Sequence, residues 1–306
     1  MHILVTGGLG FVGRATIPLL VERGHSVSVL DQAAGPGPSL PDAELIVGDV
    51  RDQDVCMSAL AGVDAVLHCA AIHHAHTVSR DPVDVIGVNI GGTINMLTSA
   101  QRQGISRFVF LSTAKVYGEP AGLPSGEEDM PRPIESYGLS KALAETYCER
   151  FGLDSIVLRP FSVYGPGQDL STGYVGMTLK ATPENGNPLV LPGKSSFVRD
   201  FIYIDDMARI CAEALEVDSP KHRLLNAGSG MPHTLAQLVE IASGLVGREL
   251  PVEYREPHAG TITRTHADTR QLSSTLGFDS FTSLRQGMES TIAWFLDSPG
   301  RGEVDR

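Results

Sequence analysis

Two residues in this sequence are spaced to do chemistry together: Tyr137 and Lys141, in the stretch Tyr137–Gly138–Leu139–Ser140–Lys141. On a helix, residues four apart share one face with Cβ atoms roughly 5–6 Å apart, so a phenol and an ammonium can act as a unit. A free tyrosine, with a pKa of ~10, is a poor base at neutral pH. Positive charge beside it favours the phenolate and makes Tyr137 a usable proton acceptor. The spacing Y-x-x-x-K is common by chance, and a surface tyrosine beside a solvated lysine would read the same. What precedes it decides. The apolar run RFVFLST at 107–113 ends in two hydroxyls, Ser112 and Thr113, and the chain opens on a phosphate-binding pattern.

That pattern is TGGLGFVG at Thr6–Gly13, which follows the apolar run HILV and opens an amphipathic segment beginning with Phe11 and Val12. Strand, tight glycine turn and helix come in that order. Gly7, Gly10 and Gly13 are three apart, and Gly8, Gly10 and Gly13 also satisfy G-x-G-x-x-G. Residues without Cβ let the backbone approach a pyrophosphate and place it on the positive helix N-terminus. Asp31 closes the next apolar run, HSVSVL at 25–30. An acid at the end of the second strand, about 20 residues on, accepts hydrogen bonds from an adenosine ribose. No Arg or Lys follows it in 32–38 to neutralise a 2′-phosphate, which favours NAD over NADP. The positive ring of an oxidised nicotinamide would then add to Lys141 in favouring the Tyr137 phenolate.

The elements that must position these groups alternate regularly. Apolar runs at 2–5, 25–30, 44–50, 64–71, 107–113 and 155–160 read as strands, and segments near 11–23, 52–61, 82–103 and 135–151 as helices. In the long helix over 82–103, Ile90, Ile94 and Leu97 fall on one face. Strands separated by helices imply a parallel sheet covered on both sides. Past Gly165 the rhythm loosens: FIYI at 201–204 runs into a helix begun by Asp205 and Asp206, and helices near 235–247 and 283–296, the last with Trp294 in its core face, flank a short strand PVEYRE. The expected fold is α/β, a Rossmann-type doubly wound parallel sheet over residues 1–165, with a smaller C-terminal mixed α/β substrate lobe over 166–306 from which some segments return to the first domain.

Composition narrows the class of partner. The 306 residues are 42% hydrophobic and 20% charged, with a formal net charge of −12 spread along the chain. Such a surface repels nucleic acid and anionic lipid, so neither is expected as a partner. Cys56, Cys69, Cys148 and Cys211 are far apart and form no C-x-x-C pair, which reads as free thiols in a reducing cytoplasm. There is neither a basic, signal-like N-terminus nor a run of ~20 apolar residues, so no membrane segment is expected. His73, His74 and His76 cluster in the loop after the fourth strand, at the expected substrate edge. No metal is expected there; His74 is the candidate for contact with cofactor or sugar.

Taken together, TGGLGFVG, Asp31, GDV at 48–50, HCAA at 68–71, Asn89 in VNIGGT, STAKVYG at 112–118, YGLSK at 137–141, RPFSVYGPG at 159–167 and RDFIYIDD at 199–206 resemble the extended short-chain dehydrogenase/reductase family, in particular its NAD-dependent nucleotide-sugar epimerases and dehydratases. The resemblance spans nearly the whole chain and implies roles. Asp49 and Val50 would contact the adenine, Ala70 and Ala71 would pass under the cofactor, and Asn89 would brace the adjacent strand end. Ser112, Pro160 and Val163 would complete the cofactor site. Lys141 would bind the nicotinamide ribose, Tyr137 would exchange the sugar hydroxyl proton, and Thr113 would hydrogen-bond the same oxygen. Arg199 resembles the arginine that meets the nucleotide diphosphate, the alternative being a surface pair with Asp200. Helices 82–103 and 135–151 resemble the pair that forms a dimeric four-helix bundle.

Departures from the family pattern narrow the reaction. Where family dehydratases carry an Asp-Glu pair after the Thr, this chain has Ala114–Lys115, which leaves oxidation and reduction at a carbinol. Ser162 replaces an amide that would touch substrate, and an R-x-G-D pattern appears as His258–Ala259–Gly260–Thr261. The resemblance thus implies an NAD-dependent 4-epimerase of a nucleotide-linked sugar, acting through a transient 4-keto sugar. A reductase of a nucleotide-linked 4-keto sugar would use the same three residues. A non-catalytic dinucleotide sensor would have no need of Thr113, Tyr137 and Lys141.

Overall fold

The computed structural model describes residues 1–32, 42–73, 82–105, 107–183, 188–218, 222–257 and 261–297. Seven strands, β1 (His2–Thr6), β2 (Ser26–Asp31), β3 (Ala43–Val47), β4 (Ala65–His68), β5 (Arg107–Leu111), β6 (Ser155–Pro160) and β10 (Arg223–Ala227), form one sheet in the order β10-β6-β5-β4-β1-β2-β3. Every neighbouring pair is parallel. The order reverses between β1 and β4, and in open α/β sheets the crevice at the carboxyl ends of such a pair is where ligands bind.

Side chains alternate along the strands and feed two cores. Ile3, Val5, Leu67, Val109 and Leu158 point to one face, where helices α1 (Phe11–Glu22) and α7 (Ile204–Glu216) pack on each other and on the sheet. Leu4, Val66, Phe108, Phe110 and Val157 point to the other, against α2 (Gln53–Ala59), the helix over 82–103 and α5 (Ser136–Arg150). Strands buried on both faces read as unbroken apolar runs, which is why these were legible. β4 is shorter than its apolar run, since from Cys69 onward the chain leaves the sheet at the carboxyl edge.

The helix over 82–103 is continuous but not uniform. Pro82–Ile86 (α3) passes through a π-helical turn, Gly87–Gly92, into Thr93–Gln103 (α4). The wider turn shifts the phase of the helix, so Leu97 joins the core beside Met96 and Ala100 while Ile90 and Ile94 stay only partly buried. The regular 3.6-residue reading had put all three on one face.

The remaining elements build a smaller lobe with its own core of Tyr164, Leu179, Leu191, Phe201, Leu238, Met288 and Phe295. β7 (Ser162–Tyr164), β9 (Val198–Tyr203) and β11 (Pro232–Thr234) form a three-stranded sheet, and β8 (Leu189–Pro192) pairs with β12 (Val252–Arg255). α6 (Gly173–Leu179), α8 (Leu235–Val246), α9 (Arg270–Leu276) and α10 (Leu284–Asp297) complete the chain; Trp294 of α10 packs on the lobe's core. α7 carries Asp205 and Asp206 in its first turn, and the buried Asp206 accepts from the Thr282 amide at 2.7 Å, joining it to the segment before α10. Both α7 and β10 lie beyond residue 165 yet pack on the large sheet. Among the described residues no helix is long and apolar enough to cross a membrane.

Candidate active site

At the amino-terminal end of the crevice, the turn after β1 is held by backbone bonds from the Gly7 amide to the Leu30 carbonyl (2.8 Å) and from the Gly10 amide to the Gly7 carbonyl (3.0 Å). Gly7 has φ +65°, and a Cβ there would stand 2.7 Å from the Ala70 backbone, so only glycine lets the turn lie against the end of β4. Asp31, ending β2, accepts from the Leu9 amide at 3.0 Å and ties the turn to the strand expected to meet the ribose. The first turn of α1 has no acidic residue and no capping side chain, which suits an anion at its Phe11–Val12 start. These features fit a dinucleotide. Asp49 lies farther out, its carboxylate held by the Arg51 guanidinium at 2.7 Å, with Val50 buried behind it.

The middle of the crevice is braced from the π-turn. The Asn89 side chain accepts from the Ile72 amide (2.8 Å) and donates to the Ile72 carbonyl (3.1 Å), clamping the segment that follows Ala70 and Ala71. It also donates to Ser140 Oγ at 3.0 Å, and Ser140 in turn donates to the Tyr137 carbonyl at 2.8 Å. The bracing expected of Asn89 therefore extends to the helix carrying Tyr137 and Lys141.

Tyr137 and Lys141 occupy the first turns of α5, and both are buried. Lys141 Nζ donates to the Leu111 carbonyl at 2.7 Å and lies over the Phe110 ring, so its charge sits at the end of β5. Burial pulls this ammonium down to about 8. Thr113 begins a 3₁₀ turn, Ala114–Tyr117, its hydroxyl accepting from the Lys115 amide at 3.2 Å. The Tyr137 phenol departs from the sequence expectation. Burial pushes it above its ordinary value, and the charge of Glu135 and the neighbouring Cys69 add to this. The His73 ring meets Tyr137 edge-on at 4.9 Å, so the histidine seen beside the phenol is His73. His74 and His258 lie outside the described residues.

Behind these groups lies a polar network that motif spacing did not reveal. Ser112 Oγ donates to Glu145 at 2.5 Å, and Glu145 forms a buried ion pair with Arg159 at 2.7 Å. Arg159 stacks on Tyr117, whose hydroxyl donates to Asn226 of β10 at 2.6 Å. Ser140 and Glu145 sit on the Tyr137 helix at offsets of three and eight, a face that could have been read from the sequence; Arg159 and Asn226 come from distant strands.

Arg199, in β9, is buried and donates to the carbonyls of Val198 (2.7 Å), Thr263 (3.0 Å) and Ile262 (2.6 Å) and to the Tyr174 hydroxyl (3.2 Å). Among the described residues no carboxylate lies within ion-pair distance of it, and burial lowers its guanidinium. Asp200, the alternative partner, faces elsewhere: its carboxylate accepts from Ser229, Gly230 and Ala267 amides at 2.7–3.0 Å. Pro160 ends β6, and Ser162 and Val163 begin β7, in register with Phe201 and Ile202 of β9. The structure thus gathers the glycine turn, Asp31, Ala70, Ala71, Asn89, Ser112, Thr113, Tyr137 and Lys141 along one sheet edge, with Arg199 in the smaller lobe.

Comparison with known proteins bears on the family and the fold. The family described as NAD dependent epimerase/dehydratase matches residues 3–228. A putative UDP-glucose 4-epimerase of Methanocaldococcus jannaschii is 31% identical over 97% of this chain and 99% of its own. Among solved structures, the Thermus thermophilus UDP-glucose 4-epimerase in complex with NAD is 30% identical with TM-score 0.87, covering 97% of this chain and all of the other. The Bacillus cereus UDP-glucuronic acid 4-epimerase in complex with UDP-glucuronic acid and NAD is 27% identical with TM-score 0.87, covering 97% and 99%. With its sheet order, its glycine turn and a family match over three quarters of its length, this chain belongs to the NAD-dependent epimerase/dehydratase family.

Proposed function

We propose that this protein is an NAD-dependent epimerase that inverts C4 of a nucleotide-linked sugar through a transient 4-keto sugar. The observation that carries the reading is the placement of Thr113, Tyr137 and Lys141 on the same sheet edge as the glycine turn. The Phe11–Val12 helix start, Asp31, Ala70 and Ala71 hold NAD, which when bound supplies a reversible hydride acceptor. Thr113 hydrogen-bonds the C4 oxygen and Tyr137 takes its proton, returning it when the sugar is reduced on its other face. In its buried setting the phenol needs positive charge close by to ionise; the oxidised nicotinamide ring, with Lys141 seated at the end of β5, is assigned that part. Ala114 and Lys115 stand where family members that eliminate water carry acids, so the chemistry stops at oxidation and reduction.

Arg199 supports a diphosphate-linked substrate. The guanidinium bonds directly to neutral oxygens, with the Glu119 carboxylate acting on it only at longer range, and an anion beside it would repay more of the desolvation. The protein is further proposed to be a cytoplasmic homodimer through a four-helix bundle. Leu139, Leu143 and Tyr147, at i, i+4 and i+8 of α5, are exposed, as are Val83 and Ile86 on the helix packed beside it. A paired apolar face of this kind is what a second copy would cover.

The test is incubation of purified protein with a panel of nucleotide hexoses and hexuronates without added cofactor, read by mass spectrometry and NMR. Equal-mass inversion at C4 is expected, and Tyr137→Phe should keep NAD while losing several orders of magnitude in kcat. Turnover only with stoichiometric NAD(P)H would replace the epimerase with a ketoreductase.

A further inference from the structure

The group next to the Tyr137 phenol that the reaction has not used is an ion pair. Lys115 Nζ lies 2.6 Å from Glu135 Oε1 and 5.8 Å from the centroid of the Tyr137 ring. The partners come from different elements, Lys115 from the 3₁₀ turn opened by Thr113 and Glu135 from the residue that caps α5. Glu135 makes no side-chain capping bond to its helix, and its carboxylate turns to Lys115. Both side chains are largely covered, 33% and 20% exposed.

Backbone contacts fix the pair in place. The Lys115 amide is held by the Thr113 hydroxyl. A Cβ on Gly138 would stand 2.8 Å from the Lys115 carbonyl oxygen, so glycine there seats α5 directly on the turn. Four titratable groups face the phenol: Glu135 from the start of its own helix, Cys69 from the end of β4, His73 from the segment after it, and Lys115 from the turn; Lys141, one turn on, is held at the Leu111 carbonyl. The Glu135 carboxylate opposes ionisation of the phenol, and among the described contacts Lys115 is a cation that meets it.

We propose that Lys115 is a positioning residue of the reaction: by neutralising Glu135 beside the Tyr137 ring it keeps that phenol able to accept a proton. The inference rests on the reading of Tyr137 as the base.

The experiment titrates the Tyr137 phenol in the NAD-loaded protein by alkaline ultraviolet absorbance, as the difference between each variant and the same variant carrying Tyr137→Phe, alongside the pH profile of kcat/KM. Lys115→Met should raise the midpoint by about one pH unit, with the ascending limb of the profile following it, and Glu135→Gln should lower it by a similar amount. The double variant Lys115→Met with Glu135→Gln should return close to the parent, and Lys115→Arg should keep the parent midpoint. Bound NAD and KM should be unchanged throughout. A lower melting temperature with an unmoved midpoint would make the pair a mechanical strap only, and selective loss of hexuronate turnover with an unmoved midpoint would make Lys115 a substrate contact; either overturns the proposal. Full turnover by Tyr137→Phe would instead remove the base itself, while the spectroscopic midpoints would still report on the pair.

Discussion

At the scale of single residues, His68 shows how a neighbouring hydroxyl fixes one side of a buried ring. Thr93 Oγ donates to the Asn89 carbonyl at 2.8 Å, so it must accept from His68 Nε2, 3.0 Å away. In the neutral ring Nδ1 accepts from Thr6 Oγ at 2.6 Å, and Thr6 accepts from the Ala70 amide at 3.3 Å. With the neutral imidazole that burial imposes, the chain runs in one direction from the segment after β4 to the π-turn. Burial, aided by the Lys141 charge, pulls His68 down to about 3. The unfolded chain therefore binds a proton that the native state refuses between about pH 6.5 and pH 3, and stability falls as pH falls through that window. Urea denaturation at pH 7 and pH 5 should show the wild type losing up to about 2 kcal/mol more than His68→Asn over the same interval. Equal losses in the two proteins would show that His68 takes up its proton in the folded state.

At the scale of elements, the π-turn over Gly87–Gly92 aims Asn89 out of the helix at Ile72 and Ser140 together. One turn of helix thus connects the segment after β4 with the helix bearing the phenol. π-turns concentrate where a helix has to present a side chain that a regular repeat would misplace. Asn89→Leu keeps the volume and removes three hydrogen bonds, leaving the Ile72 amide and carbonyl without these partners. The expected cost is about 2–4 kcal/mol in denaturant unfolding. A further 10- to 100-fold fall in kcat is expected, since small displacements of reacting groups are enough for that. A variant with parental kcat would confine Asn89 to stability.

For the molecule as a whole, the apolar stripe of Leu139, Leu143 and Tyr147 beside Val83 and Ile86 runs along the face opposite the core of its own helices. A monomer would leave it in water. Light scattering should give a mass near twice the 32.6 kDa of one chain, and Leu143→Glu should halve it, because a carboxylate buried in the seam without a partner is strongly disfavoured. A parent that already runs at the mass of one chain would refute the bundle. Each chain carries its own Thr113, Tyr137 and Lys141, so the proposed seam would bear on the stability of α5 and not on the supply of reacting groups.

What the sequence determined by itself was everything written in short-range spacing. The glycine turn, Asp31 at a strand end, the four-residue step from Tyr137 to Lys141 and the alternation of apolar runs with amphipathic segments each need only neighbours within a few turns or strands. The tertiary structure decided the rest, because the partners lie far apart along the chain. Thr6 meets His68 across 62 positions, Tyr117 meets Asn226 across 109, and β10 finds its place only by pairing with β6. It settled that Arg199 is held by backbone carbonyls and not by Asp200, that a π-turn moves Ile90 and Ile94 out of the core phase, and that Lys115 stands against Glu135. Periodicity tells a residue which way to face; only the packed chain determines what it faces.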